Sequence, residues 1–373
     1  MSIEEITVAE ARVRQQGGAI LIDVREPDEH ALGIPASARR VPRAKLEANA
    51  SEHIADPATD VLLICGSGKR SMLAAQNLAA QGYRRLSSVA GGYQQWLRAG
   101  LPIETAQDPD YLERYSRHLR LPQVGAEGQA KLARARALVV GAGGLGSPAA
   151  FYLAAAGVGF LRLVDDDVVD RSNLQRQILH TDARIGSPKV ESAALSLRAL
   201  NPTIEIETVQ ARVSADNVEN LLRDVDVVLD GADNFPTRYL LSDACVHLAK
   251  PMVYGAVQRF DGQVSVFDAG RHRGSAPCYR CLFPQPPSAA DAPNCADAGV
   301  LGVLPGLIGL LQATEVLKLI LGIGEPLTGR LLQFDALGLR FREAGLRPDP
   351  DCVVCAPGAA FIGYPALQQL CAG

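Results

Sequence analysis

The sequence lacks any large excess of charge of one sign. Its 37 lysines and arginines stand against 41 aspartates and glutamates, a net charge of −4. That balance gives no electrostatic reason to expect nucleic acid or an anionic membrane as a partner. The first residues, MSIEEITVAEARVRQQ, lack the basic stretch followed by an apolar one that marks a secretory leader. An uncharged run of the ~20 residues that span a bilayer is also missing. The candidate, Ala298–Thr314, carries Gly299, Gly302, Pro305, Gly306 and Gly309 and runs into Glu315 and Lys318, so it reads as a buried glycine-rich helix and its approach. No internal repeat is visible, and the six histidines fall into no metal-ligand spacing. These absences leave a globular chain, expected in the cytoplasm. At 373 residues it is long enough for two or three domains with cores of their own.

What is present is alternation of strand and helix. Ala19–Val24 (AILIDV) and Val61–Cys65 (VLLIC) read as buried strands, and Lys69–Gln81 as a helix stopped by Gly82. After a polar segment with two prolines, a second pattern begins: strand Ala137–Gly141, helix Gly146–Ala156, strand Phe160–Val164, then strands near Ile204–Val209, Val225–Asp230 and Met252–Ala256. Strands alternating with helices imply a mostly parallel, doubly wound sheet. The reading divides the chain into a domain at 1–104, a linker at 105–110, a second domain at 111–356 and a tail at 357–373. The run Phe283–Ala298 (FPQPPSAADAPNCADA) is expected to be a mobile loop.

Gly141-Ala-Gly143-Gly144-Leu-Gly146 follows a strand and opens a helix. Glycines let backbone approach a phosphate, and the helix start supplies free N–H groups. Asp165, at the end of the next strand, stands where a carboxylate accepts hydrogen bonds from a ribose. Alone, this suits a nicotinamide dehydrogenase, or a tight turn with no ligand. Downstream come Asp167, Asn173, Arg176 and Gln177 in one polar stretch, Lys189 at a predicted helix start, and Asp233-Asn234 after a strand; Arg117 lies upstream. Cations that neutralise phosphate charge and a carboxylate that holds Mg²⁺ are what ATP chemistry needs, and hydride transfer needs neither. Singly, Arg117 and Arg176 suit surface ion pairs, Lys189 a solvated helix residue and Asp233 a helix cap.

Eight cysteines without secretory context point to metal or catalysis rather than disulfides. Cys278/Cys281 and Cys352/Cys355 form two CxxC pairs that together suit a closed tetrahedral Zn²⁺, with redox chemistry the alternative. Cys65 precedes Gly-Ser-Gly-Lys69-Arg70-Ser71 and a helix, surroundings that stabilise an anionic sulfur; a buried structural cysteine is the plainer reading.

The words RYSRHLRL, GAGGLG, LVDDDVVDRSNLQRQ, GSPKVES, GADN, PCYRC, NCADAGVLG and CVVC, in this order, resemble the ubiquitin-activating-enzyme-like adenylyltransferases that act on sulfur carriers in molybdopterin and thiamine synthesis. Asp23-Val-Arg25-Glu26…Glu29, the Cys65 loop and Ala90–Glu104 resemble a single-domain rhodanese, without the usual histidine after Gly33. The resemblance implies an α/β chain: a small rhodanese-like domain, then a doubly wound Rossmann-like adenylyltransferase domain with a structural zinc. It implies ATP and Mg²⁺ as cofactors. The glycine turn, Asp165, Asp167, Asn173, Arg176, Gln177, Lys189, Arg117, Asp233 and Asn234 would form the nucleotide site, with Asp233 on Mg²⁺ and Arg176 reaching across a homodimer. The substrate would be a small ubiquitin-fold sulfur-carrier protein ending in Gly-Gly. Cys65 would carry a persulfide charged by thiosulfate or a persulfide-bearing desulfurase. Cys295, in NCADAG, matches a cysteine that takes a covalent or resolving role in some relatives and is dispensable in others. Two rival classes are a nicotinamide oxidoreductase with an attached sulfurtransferase and a non-catalytic carrier-binding module.

Overall fold

The structure, a computed structural model, describes residues 3–105, 108–286 and 299–364. The chain forms two compact units, Met1–Glu127 and Gly128–Gly373, divided inside the helix Gly125–Arg134.

In the first unit a parallel sheet runs in the order Glu4–Ile6, Arg85–Val89, Asp60–Ile64, Ile20–Asp23, Arg39–Arg40. The two apolar runs read as strands are its centre. Apart from Asp23 they are apolar because helices cover both faces. Ile22 and Leu63 pack with Ala74 and Leu78 on one side, while Leu21, Leu62 and Ile64 pack with Tyr93 and Trp96 on the other.

The second unit holds an eight-stranded sheet in the order Glu205–Val209, Phe160–Val164, Arg136–Val140, Val227–Asp230, Met252–Gln258, Asp261–Phe267, Arg330–Asp335, Arg340–Gly345. The first five strands are parallel and the last three antiparallel. The parallel half matches the expected doubly wound pattern. The antiparallel half extends it beyond what the sequence suggested. Winding starts at Arg136–Val140, proceeds to one edge, then reverses at Val227–Asp230. A doubly wound sheet binds its ligand at such a reversal, outside the carboxyl ends of the two strands.

The helix Val303–Leu321 is long and apolar enough by composition to cross a membrane. It lies instead against the sheet and the helix Gly146–Ala156, with Leu304, Ile308, Gln312 and Val316 buried. Gly309 is what allows this approach: a Cβ there would overlap the Leu145 carbonyl and Pro148.

Candidate nucleotide and sulfur-transfer sites

Two turns meet at the reversal point. Gly141 leaves its strand at φ 87°, and a Cβ on it would stand 2.7 Å from the Gly231 carbonyl oxygen. A Cβ on Gly146 would overlap the Gly141 carbonyl, and one on Gly144 would press on Pro305 at 3.0 Å. Gly141 and Gly146 are required by close backbone packing as well as by any phosphate. Gly143 leaves room beside the Gln177 amide. Gln177 is buried with its Oε1 unpartnered among the described residues.

Asp165 closes the turn from the neighbouring strand. Its Oδ2 accepts the Ala142 N–H at 2.7 Å and its Oδ1 the Asp167 N–H at 2.9 Å. Burial raises its pKa, against the pull of Lys189 and these N–H donors. Each oxygen retains lone-pair capacity for a further donor. Carboxylate oxygens of Asp165, Asp166 and Asp167 lie within 4.8 Å of one another. Lys189 opens the helix Lys189–Leu200; its side chain is 6% exposed and its Nζ bonds Asp167 at 2.7 Å. Lys189 is therefore a buried cation held by one exposed carboxylate rather than a solvated helix residue. Arg176 donates to Asn173 Oδ1 at 2.8 Å and to the Ser172 carbonyl at 3.3 Å, so Asn173 orients the guanidinium.

Beyond the adjacent strand, Asp233 is exposed. The cap of the helix Phe235–His247 is Asn234, whose Oδ1 accepts the Thr237 N–H at 3.0 Å. The cap role considered for Asp233 thus belongs to Asn234, which leaves the Asp233 carboxylate available. Arg117 lies in the first unit, exposed ahead of the 3₁₀ turn His118–Arg120. It is not among the residues the second unit gathers at the reversal. Cys295 lies outside the described residues, as does most of the expected loop.

Sequence reasoning missed the polar groups beneath these turns. Asp230 is fully buried and bonds the Ala232 N–H at 3.0 Å, with Arg238 at 3.3 Å. Burial outweighs that cation and pushes its pKa up to about 6. Gln312 donates to the Asp230 and Val253 carbonyls at 2.7 and 3.1 Å, tying the long helix to two strands. His180 bonds the Ala142 carbonyl and Ser192 Oγ, each at 2.9 Å. The only signal for these in the sequence is a polar residue inside an apolar surround.

The four expected metal cysteines converge, with Sγ separations of 3.9 Å (Cys278–Cys281), 3.6 Å (Cys278–Cys352) and 3.4 Å (Cys281–Cys355). Ligands at the Zn–S length sit roughly 3.8 Å apart around a tetrahedron. The donor set fits zinc, and all four are free thiols. The ligands come from the segments after Asp261–Phe267 and after Arg340–Gly345.

In the first unit Cys65 ends the central strand with its sulfur turned into the loop. It accepts from the Gly68 N–H at 3.2 Å and the Ser71 hydroxyl at 3.4 Å. Ala90–Glu104 supports this loop: Tyr93 and Gln94 donate their N–H groups to the Cys65 and Gly66 carbonyls, and a Cβ on Gly92 would overlap the Cys65 carbonyl. Lys69 is exposed, whereas Arg70 forms a two-pronged ion pair with Glu29 at 2.6 and 2.7 Å. The early motif is structural. Buried Asp23 binds the Arg25 guanidinium, which lies 3.7 Å over the Tyr93 ring. Burial raises the Asp23 pKa, but bonds from His30 and Arg25 outweigh it and leave the carboxyl below its ordinary range.

Residues 115–354 match the ThiF family and residues 7–99 the rhodanese-like domain. The chain is 53% identical over 251 residues to the SAMP-activating enzyme E1 of Haloferax volcanii, covering 67% of this chain and 91% of that one. It is 52% identical over 245 residues to the sulfur carrier protein adenylyltransferase of Thermus thermophilus, 65% of this chain and 90% of that one. Similarity to the adenylyltransferase and sulfurtransferase MOCS3-2 of Zea mays is 48% over 273 residues, 73% of this chain but 56% of the maize protein. A crystal structure of E. coli MccB shares the fold at a TM-score of 0.57 and 21% identity, covering 69% of this chain and 77% of that one. The glycine turn at the reversal point, the four-cysteine cluster and the extent of these matches lead to one conclusion: the chain belongs to the ThiF family and carries a rhodanese-like domain ahead of its ThiF domain.

Proposed function

We propose that the second unit adenylates the C-terminal glycine of a small ubiquitin-fold sulfur carrier, of the molybdopterin-synthase small-subunit type, and that Cys65 supplies the sulfur. The observation that carries this reading is the gathering of the glycine turn and the exposed Asp233 at the sheet reversal, beside the segment that holds buried Lys189, in a chain that also presents a rhodanese-type thiol loop.

The carrier's terminal carboxylate is ionised at neutral pH and needs no general base. One of its oxygens attacks the α-phosphorus of ATP, the bond to the bridging oxygen breaks, and pyrophosphate leaves. This chain's part is positioning and charge neutralisation. Lys189 exchanges Asp167 for phosphate oxygens; Arg176 adds positive charge; turn N–H groups and Gln177 line the phosphates; Asp165 takes the ribose. Asp233 would hold Mg²⁺, which offsets phosphate charge. A Cys65 persulfide then attacks the acyl carbonyl and AMP departs, leaving an acyl disulfide. A thiol, with Cys295 a candidate, attacks the Cys65 sulfur and the thiocarboxylate leaves; a second, external thiol then reduces the resulting disulfide and returns Cys65 as the thiol. Cys65 attacks the outer sulfur of thiosulfate, with sulfite leaving, or of a desulfurase persulfide, with the desulfurase thiol leaving, and is recharged. The cysteine cluster would hold zinc in a closed, structural site. We assign the chain to the cytoplasm, where thiols stay reduced. We also propose a homodimer: Val168, Ile178 and Ile185 are exposed apolar side chains around Arg176, suited to cover by a second copy.

The test is the intact mass of a Gly-Gly carrier incubated with the protein, Mg-ATP, thiosulfate and reductant. Replacement of one oxygen by sulfur, lost in Asp233→Ala and in Cys65→Ala, is the expected result. No mass change and no carrier-dependent pyrophosphate release would refute the reading.

A further inference from the structure

Ala142 sits between the first two glycines of the nucleotide turn. Its N–H is held by Asp165. Its carbonyl accepts the Ser147 hydroxyl at 3.1 Å and the His180 ring at 2.9 Å. A carbonyl can only accept, so His180 Nε2 carries a proton. The other nitrogen, Nδ1, is hydrogen-bonded to Ser192 Oγ at 2.9 Å. The Ala142 carbonyl fixes the proton on Nε2, and the Ser192 hydroxyl, which can donate or accept, suits the neutral ring that burial favours. The ring is 6% exposed. Burial lowers its pKa most, opposed by the bond to Ala142 and reinforced by the Lys189 and Arg184 charges.

Three segments meet on this ring. Ala142 belongs to the glycine turn, Ser192 to the first turns of the helix that Lys189 opens, and His180 to the segment that carries Arg176 and Gln177. Arg184 fastens the same segment to the helix by donating to the Ser192 and Leu179 carbonyls. No ligand-facing role is open to a buried ring with both nitrogens engaged.

We propose that His180 is a positioning residue for the nucleotide: by clamping the Ala142 carbonyl it holds the glycine turn in register with the Lys189 helix and the Arg176 segment, so that all three present their donors to the phosphates together. This rests on the reading of the second unit as an ATP site. Without the ring, only the Ser147 hydroxyl among the described residues holds this carbonyl, and the Ala142–Gly143 peptide is free to turn out of the register it shares with the other two segments.

The test compares His180→Gln, His180→Phe and Ser192→Ala in the full chain with wild type, by binding of α,β-methylene-ATP and by carrier-dependent ATP–pyrophosphate exchange. Gln keeps a donor within reach of Ala142; Phe keeps the ring but no hydrogen bond. We expect the Phe variant to raise both the dissociation constant and the KM for ATP about ten-fold or more, with a smaller change in kcat and an unchanged carrier KM. Gln should restore ATP affinity to within about three-fold. Ser192→Ala should fall between them, and it decides the matter if the Phe variant does not fold. A ¹⁵N spectrum of wild type should show His180 as the Nε2–H tautomer. ATP binding by the Phe variant equal to wild type, or an Nδ1–H tautomer, would overturn the role of His180. Absence of nucleotide binding by wild type would instead overturn the site on which it rests.

Discussion

Gly146 and Gly144 stand two residues apart in the same turn, yet the space around them differs. A methyl group on Gly146 runs into the Gly141 backbone, which cannot yield; on Gly144 it meets the ring of Pro305 at 3.0 Å, which a small shift relieves. Gly146→Ala should therefore abolish nucleotide binding and lower the melting temperature, while Gly144→Ala should fold normally with ATP affinity reduced several-fold. Equilibrium dialysis and a thermal melt distinguish them. Asp230 supplies a pH-dependent prediction. Its folded pKa of about 6 lies above the ordinary 3.8, so its contribution is most favourable below the ordinary value and is lost as pH rises through about 6. Asp230→Asn, which cannot titrate, should gain stability on wild type by up to the order of 3 kcal/mol between about pH 4 and pH 8. Urea unfolding at both pH values measures it. The glycines, Asp165 and the paired cysteines could be read from the sequence because spacing marks them. Asp230, Gln312 and His180 could not, since an isolated polar residue has no period and its value depends on which backbone group it meets in space.

At the scale of elements, the parallel strands were readable because burial on both faces made them continuously apolar. The strands Asp261–Phe267, Arg330–Asp335 and Arg340–Gly345 escaped notice, and for the last the reason is the opposite one. Every residue of the last is exposed, and RFREAG offers neither an apolar run nor alternation. Antiparallel pairing with the next strand in sequence holds them in place. The uncharged stretch near Gly302 was read correctly as buried helix, but its purpose was hidden: through Gln312 it anchors the ends of two strands that frame the nucleotide turns. Gln312→Leu removes a side-chain donor from two buried strand carbonyls and should cost about 1–3 kcal/mol, with ATP affinity falling in parallel. A denaturation series beside a binding isotherm tests both. Removal of the zinc proposed for the cysteine cluster acts elsewhere in the second unit. Chelation should release about one metal ion per chain, lower the melting temperature, and leave the sulfurtransferase activity of the first unit unchanged; chelator titration with a colorimetric zinc indicator would show it.

For the molecule as a whole, the two units carry separate chemistries and should lose them separately. Cys65→Ala should retain carrier-dependent pyrophosphate exchange, and Asp233→Ala should retain transfer of sulfur from thiosulfate to cyanide. If the proposed dimer is formed through the Arg176 segment, Ile178→Asp should shift the sedimentation coefficient to that of a monomer and reduce adenylation while sparing sulfur transfer. The cysteine cluster has one more consequence, which concerns the ribosome. Each ligand contact between its two halves spans 74 residues of chain. At roughly 5–20 residues per second, Cys278 and Cys281 wait several seconds as an open pair of thiols before Cys352 and Cys355 are made. The nascent chain thus passes through an interval in which half a metal site is open to oxidants and to competing metal ions, and a cell that runs short of reductant or zinc would damage this protein during synthesis rather than after it has folded.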